Sequence, residues 1–280
     1  MTTDTTTPKH PDIHALIYGM SGVGKSTFAA GFPKPMLVLA FDRYDNVKPY
    51  QRCGSEVCRV ADYTGDHEKR KQSQAYYQSL GIAATDVRDD AGQLLVRIEH
   101  YYDNDPKRMS AYEKFNVRMS AFTARPESWR QWRTVVLDSL TFFQNAAVGW
   151  ERTLNNPSKS AALKWYGEAK FHMEGLLYCQ MGSADTNVLV LGHEATKENE
   201  FGSGGQQRGI AAVGQLSAQV PAGFGEVYHL VAEKGTDGAY HRRLRTDMHE
   251  DADGRLWFAK TQEGVRDGCD ATYEALWTKD

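Results

Sequence analysis

Residues 19 to 27 read Gly-Met-Ser-Gly-Val-Gly-Lys-Ser-Thr, so Gly19 to Ser26 fits the spacing Gly-x-x-x-x-Gly-Lys-Ser in full. That spacing builds a phosphate-binding loop. Glycines let the backbone curl until successive N–H groups point at phosphate oxygens, and the helix start that follows adds partial positive charge. Lys25 then reaches the β and γ phosphates of ATP, and Ser26 sets its hydroxyl on Mg²⁺. Gly19, Ser21, Gly22, Val23, Gly24, Lys25, Ser26 and Thr27 are the candidate nucleotide ligands. A plain glycine turn before a helix accounts for the glycines but not for lysine and serine at these two places. With glycine at about 7% of residues, such a match arises by chance on the order of once per hundred chains of this length.

A second carboxylate-bearing motif is Val135-Val136-Leu137-Asp138-Ser139, a short apolar run that delivers Asp138 to its end. Ligands of open parallel sheets sit at the carboxyl edge of the strands, where Asp138 would hold Mg²⁺ through water. An aspartate in this place also caps the helix that follows it; the two roles are compatible.

Loop and carboxylate both need strands behind them and helices after them. Residues 14–18 form an apolar run feeding the loop, and residues 25–32 read as a helix stopped by Pro33 and Pro35. Residues 36–41, 134–137 and 187–192 are apolar without interruption, as suits strands covered on both faces. Tyr112, Phe115, Met119 and Phe122 recur at steps of three and four and predict an amphipathic helix. Phe143, Ala147 and Trp150, then Trp165, Ala169, His172 and Leu176, predict two more. Residues 94–101 look strand-like, and 227–232, 240–246 and 256–260 read as strands joined by turns such as Asp237-Gly238 and Asp253-Gly254. The expected fold is α/β, a mainly parallel central sheet flanked by helices with a C-terminal antiparallel extension. Residues 1–11 are expected to be a mobile tail and 12–280 a single domain, with a poorly defined insertion at about 43–133.

Composition limits the setting. A chain of 280 residues, 41% hydrophobic and 25% charged, is that of an ordinary globular protein. No apolar run approaches the roughly 18 residues that span a bilayer, and the first residues lack the basic and apolar parts of a signal peptide; a cytoplasmic location without membrane contact is expected. Cys53, Cys58, Cys179 and Cys269 are too sparse for a disulfide framework, and Cys53, Cys58 and His67 match no zinc spacing. A net charge of −3 advertises no basic face, so a nucleic-acid partner must rest on local features.

Taken together, Gly-Met-Ser-Gly-Val-Gly-Lys-Ser-Thr, Val-Val-Leu-Asp-Ser-Leu-Thr, Val-Leu-Val-Leu-Gly-His-Glu and Phe-Ala-Lys-Thr resemble the phage-encoded RecA-like P-loop ATPases, single-strand annealing and recombination proteins with an AAA-type ATP-binding domain. The likeness runs from about residue 12 to 262. It implies that the carboxylate orienting the attacking water follows the strand after the loop helix, which offers Asp42 and Asp45, with Asp42 favoured. It implies that His193 and Glu194 sense the γ-phosphate and pass the signal to a DNA-contacting loop at residues 195–214, where Lys197 and Arg208 would follow phosphates and Phe201 would stack on a base. Glu194, Glu198 and Glu200 stand beside these cations, and a plain surface loop is the other reading. Lys260 resembles the basic residue that reaches a neighbouring subunit's ATP in rings and filaments; many relatives carry arginine where this chain has Gln262.

The expected activity is binding and hydrolysis of ATP with Mg²⁺, stimulated by single-stranded DNA, in annealing or recombination. The partners implied are single-stranded DNA, further copies in a ring or filament, and a single-strand DNA-binding protein. Two alternatives stay open: a small-molecule kinase or phosphotransferase, and a nucleotide-switched binding protein with little turnover. Kinases carry an arginine-rich lid, whereas Arg242, Arg243 and Arg245 fall here in an expected strand.

Overall fold

A strand that is apolar on both faces must be covered on both, and the uninterrupted runs of this chain form the centre of the fold for that reason. The computed structural model describes residues 11–42, 44–64, 68–155, 157, 162–182, 184–198, 206–212, 216–251 and 256–278. The runs are strands β1 (His14–Gly19), β2 (Met36–Ala40), β6 (Thr134–Asp138) and β7 (Asn187–Glu198). With β5 (Leu94–His100) and β9 (Glu226–Lys234) they make a parallel set in the order β9-β1-β7-β6-β2-β5. Leu16 stands beside Val190 and Val227, and Val38 beside Val136 and Ile98.

Antiparallel strands extend both flanks. Beyond β5 lie β4 (Ala83–Arg88) and β3 (Glu56–Arg59); beyond β9 lie β10 (Tyr240–Arg245) and β13 (Cys269–Asp270). The outer half of β7 pairs with β8 (Gln206–Ile210), which also takes β12 (Leu256–Trp257), and β11 (His249–Glu250) closes on β12.

Strand side chains alternate between two cores. Leu16, Leu37, Leu39, Val135, Leu137, Val188 and Val190 join one face. It is covered by α4 (Ala111–Ala124), α5 (Leu140–Trp150) and α6 (Ala162–Glu174), through residues such as Phe115, Met119, Phe143 and Met173. Ala15, Ile17, Met36, Val38, Val136 and Leu189 join the other face, under Phe28 and Ala29 of α1 (Lys25–Ala30) and Tyr50 of α2 (Lys48–Gln51). Each such valine or leucine contributes about 1.5–3 kcal/mol on burial. The expected helix on Tyr112, Phe115, Met119 and Phe122 is α4, with all four buried.

Three stretches differ from the sequence expectations. Residues 44–133 hold α2, β3, α3 (Glu68–Leu80), β4, β5 and α4, so most of the stretch continues the central sheet and its helical cover. The expected loop at 195–214 is strand at both described ends: β7 runs on to Glu198 and returns as β8, Glu194 opposite Ile210 and Thr196 opposite Arg208. Backbone ladder bonds hold such a ribbon without an apolar pattern. Buried Ile210 pins it to β7 at Gly192, where an added Cβ would come 2.5 Å from Ile210 Cδ1. The expected strand at 256–260 stops at Trp257, and Lys260 then makes an isolated antiparallel bridge to Val227. The remaining α7 (Leu216–Ala222) packs beside β8. Among the described residues no helix is long and apolar enough to cross a membrane.

Candidate nucleotide site at the carboxyl edge of the sheet

β1 delivers the glycine loop at Gly19, packed so closely on β9 that a Cβ there would collide with the Leu230 carbonyl. Gly22 and Gly24 turn with φ of 80° and 106°, the left-handed region that side chains disfavour. The curl closes around Lys25, which is only 7% exposed. Its Nζ donates to the Gly19 carbonyl at 2.9 Å and the Met20 carbonyl at 2.8 Å, at the centre of the loop. Burial pulls the ammonium's pKa down, and the charges of Asp138, Glu194 and Asp42 work against that.

Asp138 ends β6, beside Ala40 of β2 and Leu191 of β7. Ser26 Oγ donates 2.7 Å to Asp138 Oδ2, and the buried Tyr50 hydroxyl donates 2.8 Å to the same oxygen. Burial pushes the carboxyl's pKa up; the Ser26 and Tyr50 hydrogen bonds oppose it, Asp42 adds to it, and Lys25 opposes it. Among the described residues this buried carboxylate is bonded by two neutral hydroxyls and makes no ion pair, while Lys25 is engaged by loop carbonyls. Ser26 and Asp138 therefore form a donor pair suited to a hard divalent cation.

Asp42 follows β2, its amide donating to the Asp138 carbonyl at 3.4 Å, and its charge acts on Lys25, Asp138 and His193. β7 lies between the loop strand β1 and the Asp138 strand β6, so it brings His193 to the same edge. There the backbone N–H of His193 donates to Thr141 Oγ1 at 3.3 Å and its ring meets Phe142 edge-on. Burial lowers the imidazole's pKa, Lys25 lowers it further, and Asp42 opposes both. Lys25, Ser26, Asp42, Asp138 and His193 thus converge from positions spread over more than half of the chain.

Glu194 takes a different partner. Its Oε2 lies 3.2 Å from Nε2 of His229 on β9, and His229 Nδ1 lies 3.3 Å from His249 Nε2. The His229 ring stacks on Trp257 at 4.0 Å and on Tyr18 at 4.8 Å, and these two rings also stack on each other at 6.3 Å; Tyr18 donates its hydroxyl to the Phe258 carbonyl. This ladder borders a cleft of about 720 Å³ that reaches Met20 to Val23 of the loop. Glu194 is thereby a link between the loop edge and β9.

Lys260, bridged to Val227, is at the level of Leu16 in β1, three residues before Gly19. Lys197 and Arg208 belong to the β7–β8 ribbon; Phe201, Gly202 and Glu200 lie outside the described residues, as do Asp45's side chain and His67. Cys53 packs with the α1 face and Cys58 with the opposite one, so these two cysteines do not meet. Sequence reasoning missed Tyr50 and His229, single residues joined to the site only by long-range packing. It also put the β10 arginines away from the phosphates, whereas Arg242 lies directly against Gly24.

Comparison with known proteins follows the same line. The family described as AAA domain (AAA_24) matches residues 12–256. No curated protein matches the chain in sequence. Among solved structures the chain is similar to a prototypical ATPase from the type III secretion system of pathogenic bacteria, with 14% identity and a TM-score of 0.41 over 79% of this chain and 52% of that one. The chain therefore spans about half the length of that protein. With a family match over most of its length and a complete phosphate loop at its sheet edge, the chain belongs to the AAA domain family.

Proposed function

We propose that the protein is a Mg²⁺-dependent ATPase that acts on single-stranded DNA in annealing or recombination. The observation that carries the reading is the convergence of Lys25, the Ser26–Asp138 pair, Asp42 and His193 at one sheet edge, on a strand, β7, that continues into the β7–β8 ribbon. Ser26 and Asp138 would hold Mg²⁺, which would supply positive charge against the phosphates. Lys25 exchanges its loop carbonyls for the β and γ phosphate oxygens. Asp42 orients the attacking water, as its position among Lys25, Asp138 and His193 supports. His193 registers the γ-phosphate, and Glu194 passes its loss to β9 through His229 and to the ribbon through the backbone of β7.

Lys197 and Arg208 follow the DNA backbone and Phe201 stacks on a base. Lys260 reaches the ATP of a neighbouring copy in a ring or filament, and a single-strand DNA-binding protein presents the substrate in the cytoplasm. The test is ATP hydrolysis by the purified protein with and without single-stranded DNA, beside Lys25→Ala. Turnover stimulated by DNA and reduced at least about 100-fold in the variant supports the reading. Absence of stimulation together with no DNA retention at low salt, where phosphate contacts are strongest, contradicts the DNA part. Turnover that survives Lys25→Ala contradicts the ATPase part.

A further inference from the structure

The three arginines of β10 do not share one fate. Arg243 pairs with Asp270, and Arg245 pairs with Glu233 and, at 3.0 Å, with Asp267. Arg242 is exposed and makes no ion pair among the described residues. Its side chain lies instead on the phosphate loop: a Cβ built on Gly24 would stand 2.5 Å from Arg242 Nε and 3.1 Å from its Cζ. Gly24 thus serves two needs. Its φ of 106° excludes a side chain on conformational grounds, and the guanidinium occupies the space one would take. Arg242 also lines, with Gly22, Val23 and Thr272, a cleft of about 530 Å³ that opens beside the loop.

An unpaired guanidinium held against the glycine that precedes the loop lysine has an evident anionic complement. We propose that Arg242 is a phosphate-contacting residue of the nucleotide site. It would grip the phosphate chain of a nucleoside di- or triphosphate from the β10 side, within its own subunit. The inference rests on the reading of the loop as a nucleotide site and adds to it a second cation, opposite Lys25. The two differ physically. Lys25 is buried and fixed by the loop's own carbonyls, whereas Arg242 offers planar, paired N–H donors from a strand and is free to move onto a ligand. Neighbouring Arg243 and Arg245 are already engaged with carboxylates, which explains why one arginine of the three would take this role.

The experiment is equilibrium binding of ATP, ADP and adenosine to the full chain and to Arg242→Ala, Arg242→Lys and Lys25→Ala, with thermal unfolding of each as the folding control. The expected result is that Arg242→Ala weakens ATP and ADP binding by about 10- to 100-fold, the range of a lost hydrogen bond to a charged group. Arg242→Lys should recover part of the loss, and adenosine binding should be unchanged. ATP and ADP affinities unchanged in Arg242→Ala but lost in Lys25→Ala would overturn the proposal and leave the nucleotide site standing. Tighter ATP binding by Arg242→Ala would also overturn it, marking the side chain as a plug. If Lys25→Ala itself binds ATP normally, the failure lies with the nucleotide site and not with Arg242. Should the alanine variant unfold, Arg242→Gln, which keeps the stem, carries the same comparison.

Discussion

Two clusters of buried carboxylate, tyrosine and cation lie in the same sheet, and they are in opposite electrostatic states. On the β4–β5 flank, Asp86 receives two bonds from Arg97 at 2.6 and 2.7 Å, one from Arg88 at 2.7 Å and one from Tyr63. Burial works to raise its pKa, yet these partners hold it below the ordinary aspartate value. Beside it Glu99 takes Arg118, Tyr77 and Tyr101. At the phosphate edge Asp138 is bonded, among the described residues, by Ser26 and Tyr50, and burial leaves its pKa raised; Lys25 has its own pKa lowered by burial. The carboxylates of the flank are satisfied by neighbouring side chains, as in a structural cluster. At the edge Lys25 and Asp138 make no ion pair among the described residues, the condition of a site that takes a charged ligand.

The largest expected effect is on the satisfied side. Arg118→Ala strands Glu99 in the interior, and Asp86→Asn strands Arg97, each at a cost of about 3–5 kcal/mol in unfolding free energy measured with denaturant. The pH dependence should have opposite signs in the two clusters. Asp86 has a folded pKa below its unfolded value, so its contribution is present above the ordinary aspartate range and is lost as pH falls through the folded value. Asp138 has a raised folded pKa, so its contribution is present at low pH and lost as pH rises through that value. Thermal unfolding at pH 7 should therefore show Asp86→Asn lowered and Asp138→Asn raised relative to the parent, with the Asp138→Asn gain shrinking as pH drops. The same Asp138→Asn change should reduce ATP turnover at least about 100-fold. A lowered midpoint for Asp138→Asn at pH 7 would erase the contrast.

Tyr50→Phe removes one of the two hydroxyls on Asp138 and should cost about 0.5–1.5 kcal/mol. Because that hydrogen bond favours the ionised carboxylate, its loss should also move the acid limb of ATP turnover to higher pH. The smallest effect is expected at the surface pair Arg130–Asp185, whose side chains are 72% and 76% exposed. There Arg130→Ala should stay within about 0.5 kcal/mol of the parent in the same denaturant assay.

The contrast also explains what the sequence disclosed. Gly19 to Thr27 is local, and Met36 to Ala40 or Thr134 to Asp138 is apolar on both faces, so loop, central strands and Asp138 were legible. α4 was legible because Tyr112, Phe115, Met119 and Phe122 keep helical spacing. β3 and β4 were not, because they carry Arg59, Asp86 and Arg88, and nothing local reveals that Asp86 will meet Arg97 across a strand pair. The β7–β8 ribbon was hidden by polar and glycine-rich composition, since its order comes from backbone ladder bonds and from Ile210 on Gly192. Tyr50 lies 88 positions from Asp138, and His229 lies 35 from Glu194; only the folded sheet joins them.

Binding of Mg²⁺ and ATP at Lys25, Ser26 and Asp138 would be read out as ligand-induced thermal stabilisation. Mg²⁺ with ATP should raise the unfolding midpoint of the parent protein, by RT ln(1 + [L]/Kd) in free energy. Chelation of the metal should remove most of that rise, and Asp138→Asn should lack it while starting from a higher midpoint. An equal rise in Asp138→Asn and parent, or no rise in either at millimolar Mg²⁺ and ATP, would mean that Lys25, Ser26 and Asp138 do not form a Mg²⁺–ATP site.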